Sequence, residues 1–200
     1  MHRISSEKGF RRGSIEFPPG LLERTRAGDP KALGEFFDLV FDHVFSLVYR
    51  LLGERATAED VTIEIFVKVQ NSIDRLDPQR DPMPWLHAIA VNACKDYWRS
   101  HAHRMRRASV PLDHAAALFL VSRTDDPAER AESAERDQLV QQAISRLPET
   151  LRVAVVLHDY EGLGHEEIAR LCGVGYAAMR KRYSRALEEL KVLLSGVCGR

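Results

Sequence analysis

The sequence predicts an all-α protein made of two small helical domains joined by a flexible linker. Apolar residues recur at spacings of three and four over long stretches, no run alternates as a half-buried strand would, and residues 105–136 interrupt the pattern with a short apolar patch followed by an acidic, Ala-rich stretch around Pro127. A chain of 200 residues with 44% hydrophobic content can bury a core in either one ordinary domain or two small ones.

The elements follow in order. Residues 1–19 are polar and basic and end in Pro18-Pro19-Gly20, so they read as a disordered tail. Asp29-Pro30 supplies an N-cap and a proline at the first helical position. Leu33, Phe36, Phe37, Val40, Phe41, Val44, Leu47, Val48 and Leu51 then mark one wide apolar face that ends at Gly53. Thr57 is expected to open a second helix with Asp60 as its capping partner. Val61, Ile65, Val69, Ile73 and Leu76 form the inward stripe of this helix, and Glu59, Asp60, Glu64 and Lys68 its outward face. The loop "DPQRDPMP" follows, and a third helix is expected from Trp85, with Leu86, Ile89, Ala90, Ala93 and Tyr97 inward and Ala88, Asn92, Lys95 and Arg99 on a polar track.

After the linker, helices are expected at 137–146, 148–160, 165–172 and 176–194, punctuated by Pro148, by Gly162 and Gly164, and by Gly173 and Gly175. The last two helices carry the pattern of a helix-turn-helix. Ala169 is a small residue at the crossing, Gly173 allows a sharp turn, and Met179 closes the angle. With Met179, Leu187 and Leu190 inward, the outward positions of the last helix are Ala177, Arg180, Lys181, Ser184 and Arg185. A recognition helix meets base edges and phosphates with this part of its surface.

Charge and composition exclude several classes. The formal net charge is zero, which argues against coating nucleic acid by bulk electrostatics. The charges are nevertheless segregated: Lys95 to Arg107 holds five basic residues and one acid, whereas Arg123 to Asp137 holds six acids and three arginines. Three widely spaced cysteines make neither a disulfide framework nor a CxxC metal site, and read as reduced thiols in a cytoplasmic protein. No apolar run is long enough to span a bilayer, and "MHRISSEKGFRRGSIEF" lacks a signal-peptide core, so no membrane insertion is expected. His101 and His103 lie in a basic segment and His158 and His165 across a turn without cysteine partners, so no metal or other cofactor is expected. No nucleophilic triad, P-loop or paired-carboxylate arrangement points to an enzyme.

Beyond these readings, "RLPETLRVAVVLHDYEGLGHEEIARLCGVGYAAMRKRYSRALEEL" resembles region 4 of the extracytoplasmic-function sigma factors of bacterial RNA polymerase. "AGDPKALGEFFDLVFDHVFSLVYRLLGERATAEDVTIEIFVKV" and "PWLHAIAVNACKDYWRSHAHR" are similar to region 2 of the same family. The resemblance implies region 2 over 20–104, a linker over 105–136 and region 4 over 137–197. It implies as partners the polymerase core (clamp helices of the largest subunit, and flap), promoter DNA in duplex and single-stranded form, and an anti-sigma factor. Glu59, Asp60, Glu64 and Lys68 would dock on polymerase. Asp77, Gln79, Arg80, Trp85, Asn92, Lys95 and Arg99 would hold the −10 element, and Arg180, Lys181, Arg182, Ser184 and Arg185 the −35 element.

Four positions depart from the family pattern. Ile63 stands where glutamine is usual, Gln70 where an aromatic is usual, Ala178 where a threonine heads the recognition helix, and Tyr183 where an aliphatic residue is usual. The rival readings are a stand-alone helix-turn-helix regulator and a helical interaction module without promoter function.

Overall fold

The computed structural model describes residues 15–108 and 127–195, and no strand occurs among the described residues. The helices are α1 (Leu21–Arg26), α2 (Pro30–Leu52), α3 (Arg55–Asn71), α4 (Met83–Ala108), α5 (Pro127–Arg146), α6 (Glu149–Val155), α7 (His165–Cys172) and α8 (Tyr176–Ser195). They fall into an N-terminal unit, Ile15–Ala134, and a C-terminal unit that begins at Glu135.

In the N-terminal unit, α2 packs against α1, α3 and α4. Asp29 accepts a hydrogen bond from the Lys31 N–H at 2.9 Å, and Pro30 occupies the first turn as expected. Gly53 ends the helix with φ 79°, a conformation that a side chain would oppose. Phe36, Val40, Val44, Leu47, Val48 and Leu51 are buried, but Phe41 is 44% exposed, so one residue of the expected inward stripe faces out. It lies at the stripe's edge, where its ring stacks on Phe66 of α3 at 5.7 Å between centroids.

The start of α3 differs from the expectation. Glu54, not Thr57, is the cap: its carboxylate accepts from the Thr57 N–H at 3.2 Å and also from the Thr57 hydroxyl. The longer Glu side chain reaches the third N–H of the helix, so the helix starts earlier and Thr57 becomes a donor. Helix α1 was not anticipated, because six residues are too few to show a period. It is held by Leu21 and by buried Thr25, whose hydroxyl donates to Leu21 O at 2.8 Å and to Ala32 O at 3.2 Å.

The boundaries of the linker and tail also move. Helix α4 begins at Met83, two residues before Trp85, and continues to Ala108; α5 begins at Pro127, ten residues before the expected start. Both ends of the 105–136 linker are therefore helical, and the expected linker residues 109–126 lie outside the described residues. An acidic, Ala-rich segment lacks an apolar stripe yet has good intrinsic helix propensity, which composition-based reading discounts. Of the expected tail, residues 1–14 lie outside the described residues, while Phe17 stacks on Phe36 at 5.8 Å.

In the C-terminal unit, Leu147, Leu151, Val155 and Ala186 form a buried cluster, with Tyr183, Leu190 and Leu193 packed against it. Arg152 is buried and donates to the Leu147 carbonyl at 3.0 Å and to the Ser145 carbonyl, placing a cation at the C-terminal end of α5. The expected 148–160 helix is α6 followed by a π-helical turn over Val156–Tyr160, which widens the backbone just before the helix-turn-helix.

Because Leu47 is fully buried in the N-terminal unit, Leu47→Ala should destabilise that unit by about 2–5 kcal/mol, and Asp29→Ala by about 1 kcal/mol through loss of the cap. Both tryptophans, Trp85 and Trp98, belong to this unit, so denaturant unfolding followed by tryptophan fluorescence measures both losses.

Candidate nucleic-acid and polymerase-binding surfaces

Helices α7 and α8 form the expected helix-turn-helix. Gly173 closes α7 in the left-handed conformation at φ 69°, and the Val174 N–H donates back to the Ala169 carbonyl at 2.9 Å. Ile168, Ala169 and Met179 are buried where the two helices meet. The inward stripe of α8 runs through Met179, Tyr183, Ala186, Leu190 and Leu193. Leu187, expected inward, is instead 43% exposed, because Ala186 takes the inward place and its neighbour is rotated by about 100°.

The expected recognition residues share the outer face. Arg180, Lys181, Ser184 and Arg185 are exposed, with Ala177 and Ala178 beside them, while Arg182 is half-buried. Tyr176, which sequence reasoning did not single out, opens α8 47% exposed, and the Arg180 guanidinium carbon lies 5.8 Å from its ring centroid. The signal that could have found it is the i, i+4 spacing of an aromatic and an arginine on one helix.

Behind that face, the π turn, α7 and α8 meet in a ring cluster. The His158 and His165 centroids are 4.4 Å apart, and Tyr183 stands edge-on to both at 4.5 and 5.0 Å. The Tyr183 hydroxyl donates to Asp159 Oδ1 at 2.8 Å. Burial, that hydrogen bond and the charge of Asp159 push the phenol well above its usual range. His158 Nδ1 and the Leu163 carbonyl lie 2.9 Å apart. Burial, then the charges of His158 and Arg180, lower His165 below the ordinary imidazole range against an opposing pull from Asp159.

On the N-terminal unit, α3 presents Glu59, Asp60, Glu64 and Lys68 outward, all exposed. Glu59 pairs with Arg55 at 2.8 Å and Lys68 with Asp96 of α4 at 3.5 Å. Asp60 and Glu64 have no ion-pair partner among the described residues. Between and beside them stand Ile63, 62% exposed, and Val67, 51% exposed, with Phe41 nearby through Phe66. The face is therefore an apolar strip bordered by carboxylates. Sequence reasoning found the carboxylates and missed Val67 and Phe41.

The polar track of α4 is present at its expected spacing. Asn92 and Arg99 are exposed, and Trp85 and Lys95 are half-buried. Arg99 is bound to Asp96 at 2.6 Å, and its Nε–H donates to the Lys95 carbonyl at 3.4 Å. In the preceding loop, Asp77 and Arg80 pair at 3.2 Å, the Asp77 carboxylate also accepts from the Gln79 N–H at 3.1 Å, and the Gln79 amide donates to Glu23 of α1 at 3.4 Å. The loop is thus braced on α1, while its side chains remain exposed except for buried Pro82 and half-buried Pro78 and Met83.

A helix-turn-helix with a basic outer face, preceded by a helical unit with an acidic-apolar face and a polar track, is the arrangement of a DNA-binding transcription factor. The model for Sigma-70 region 2 matches residues 36–104, and that for Sigma-70, region 4 matches residues 137–190. The chain is similar to the ECF RNA polymerase sigma factor SigE of Mycolicibacterium smegmatis, at 32% identity over 181 residues that cover 89% of this chain and 68% of that protein. It is also similar to the ECF RNA polymerase sigma-E factor of Escherichia coli K12, at 31% identity over 176 residues covering 85% and 90%. In fold it resembles the sigma factor RpoE of Bartonella quintana, solved in complex with the anti-sigma factor NepR, with a TM-score of 0.68 and 20% identity over 82% of this chain and 98% of that one. The chain belongs to the extracytoplasmic-function sigma factors of the sigma-70 family, transcription initiation factors that direct RNA polymerase to promoters. No helix among the described residues is long and apolar enough to cross a membrane.

The lowered His165 gives the C-terminal unit a pH dependence whose sign is fixed. The unfolded chain takes up this proton at a higher pH than the folded one, so the contribution of the neutral ring is intact above about pH 6.5 and is lost as pH falls below that value through the lower folded pKa. Amide hydrogen exchange of α8 in the full chain should therefore lose protection as pH falls below about 6.5, and His165→Gln should flatten that loss.

Proposed function

We propose that this chain binds the RNA polymerase core through α3, holds an opened −10 element with α4 and the loop before it, and reads a duplex −35 element with α8. The observation that carries the reading is the outer face of α8, where Arg180, Lys181, Ser184 and Arg185 stand exposed directly after the turn at Gly173. Arg182, half-buried, serves the phosphate backbone. The chain itself catalyses no reaction and requires no cofactor, and it acts in the cytoplasm, where polymerase and promoter DNA are found.

Docking on polymerase has a physical basis in the exposed strip of Ile63 and Val67 flanked by Asp60 and Glu64, with Glu59 and Lys68 at its margin. The apolar residues supply burial and the carboxylates choose a basic partner and speed the encounter. The clamp helices of the largest subunit are that partner for α3, and the flap is a second contact of the chain. An anti-sigma factor that covered the same strip would exclude polymerase by competition, and the solved complex of a fold relative with an anti-sigma factor supports control of this chain by a partner of that kind.

Single-stranded DNA asks for polar groups and ring faces more than for net charge. Asn92, Lys95 and Arg99 follow Trp85 at spacings of seven, three and four, so one face of α4 follows a strand for about 20 Å. Asp77, Gln79 and Arg80 border its start.

Transcription in vitro with purified core on a genomic promoter pool tests the whole reading; no sequence-specific initiation by the assembled holoenzyme would overturn it. Arg180→Ala and Arg185→Ala should each cost about 1–3 kcal/mol at a particular base pair, and a uniform loss over all duplexes would make them backbone contacts. Charge reversal at both Asp60 and Glu64 should abolish co-elution with core while leaving helicity unchanged. Retained co-elution at moderate salt would remove α3 from the interface. Asn92→Ala should keep core binding but reduce permanganate reactivity of −10 thymines, with activity restored on a pre-melted promoter.

A further inference from the structure

Recognition by α8 depends on where its longest outward side chains point. The first turn of the helix consists of Tyr176, Ala177, Ala178 and Met179, and Met179 is buried. Between two alanines and an inward methionine, Tyr176 is the one bulky exposed group at the end that enters a groove. Arg180, one turn on, lies over its ring at 5.8 Å.

Resting on the assignment of α8 to a duplex, we infer that Tyr176 is a specificity-determining residue: its ring supports the Arg180 guanidinium and aims it at a guanine. Stacking occupies the face of a guanidinium and leaves the N–H groups in its plane available. Those edge donors make the bidentate contact to guanine O6 and N7. An arginine without support samples many rotamers and loses that freedom when it binds; one already resting on a ring loses less. The ring therefore sharpens readout without taking up a donor.

One further observation agrees. Ala177 and Ala178 carry no polar group and Met179 is buried, so no other side chain in the first turn of α8 offers the Arg180 guanidinium a competing partner.

The test uses the full chain assembled with polymerase core, on promoter duplexes selected from a pool by the wild-type protein and then replaced one base pair at a time. Arg180→Ala should relax preference at one guanine-bearing position. Tyr176→Leu should relax preference at that same position, on the order of two- to fivefold, with other positions and the salt dependence unchanged. Tyr176→Phe should recover the preference that leucine loses, and Tyr176→Leu should add little in an Arg180→Ala background. If Arg180→Ala relaxes a position and Tyr176→Leu leaves it intact, the inference fails while the assignment of α8 stands. A uniform weakening by Tyr176→Leu across all duplexes also overturns it, since the tyrosine would then be a backbone or structural contact. If Arg180→Ala changes nothing, the assignment of α8 itself fails.

Discussion

Burial of one wide stripe on α2 is the interaction on which the N-terminal unit depends. Helices α1, α3 and α4 each pack on it, and its central residues from Val44 to Tyr49 are buried on every side. Once that stripe fixes the rotation of α3 and α4, the 3.6-residue period leaves no choice about what faces outward. Asp60, Glu64, Ile63 and Val67 must form one exposed surface, and Asn92 and Arg99 another. The exposed faces are what remains after the core has taken its share. A large-to-small change in the core of α2 therefore reaches both surfaces without touching either.

The C-terminal unit solves a harder problem, because α8 must be anchored along one side and bare along the other within 20 residues. Its anchor is partly polar. Tyr183 packs against two imidazoles and donates to Asp159, joining the π turn, the start of α7 and the middle of α8 at a single point. A hydrogen bond to a carboxylate specifies direction in a way that leucine packing does not. The π turn at Val156–Tyr160 brings His158 and Asp159 to this point, and local widening of a helix is often found where a side chain has to be re-aimed for function.

How far the sequence could be read follows from the length scale of each signal. Helices longer than about 15 residues repeat their apolar pattern several times, so α2, α4 and α8 were legible to within a few residues, as was the Gly173 turn, whereas the stripe assigned to α3 ran on to Ile73 and Leu76, which lie beyond its end at Asn71 in a 3-10 turn and the residue after it. Helix α1 was not, because it makes less than two turns and owes its place to Leu21 and Thr25 meeting α2. Helix α5 was read ten residues short because its first half offers propensity without a stripe. The site followed the same rule. Residues on a regular face, such as Arg180, Lys181 and Arg185, could be assigned by counting; those whose exposure depends on a neighbouring helix, such as Phe41, Val67 and Leu187, could not. Ion pairs across helices, such as Lys68 with Asp96, have no sequence signature at all.

In this chain of zero net charge, the cations of α4 and α8 are partnered differently. On α4, Arg99 is held by Asp96, which also pairs with Lys68, so a phosphate that approaches must compete with a carboxylate already in place. These pairs are exposed and individually weak, yet they lower the net field along that face. Such a surface has little to offer duplex phosphates, and more to offer unpaired bases that are held by amide groups and ring faces. On α8, Arg180 rests on an uncharged ring, and Lys181 and Arg185 have no carboxylate partner among the described residues. Here the full positive charge is available to a closed duplex, whose phosphates supply most of the attraction. The contrast between an arginine held by a carboxylate and one resting on a neutral ring, with the cations beside it open, is thus present in the free protein before any partner arrives.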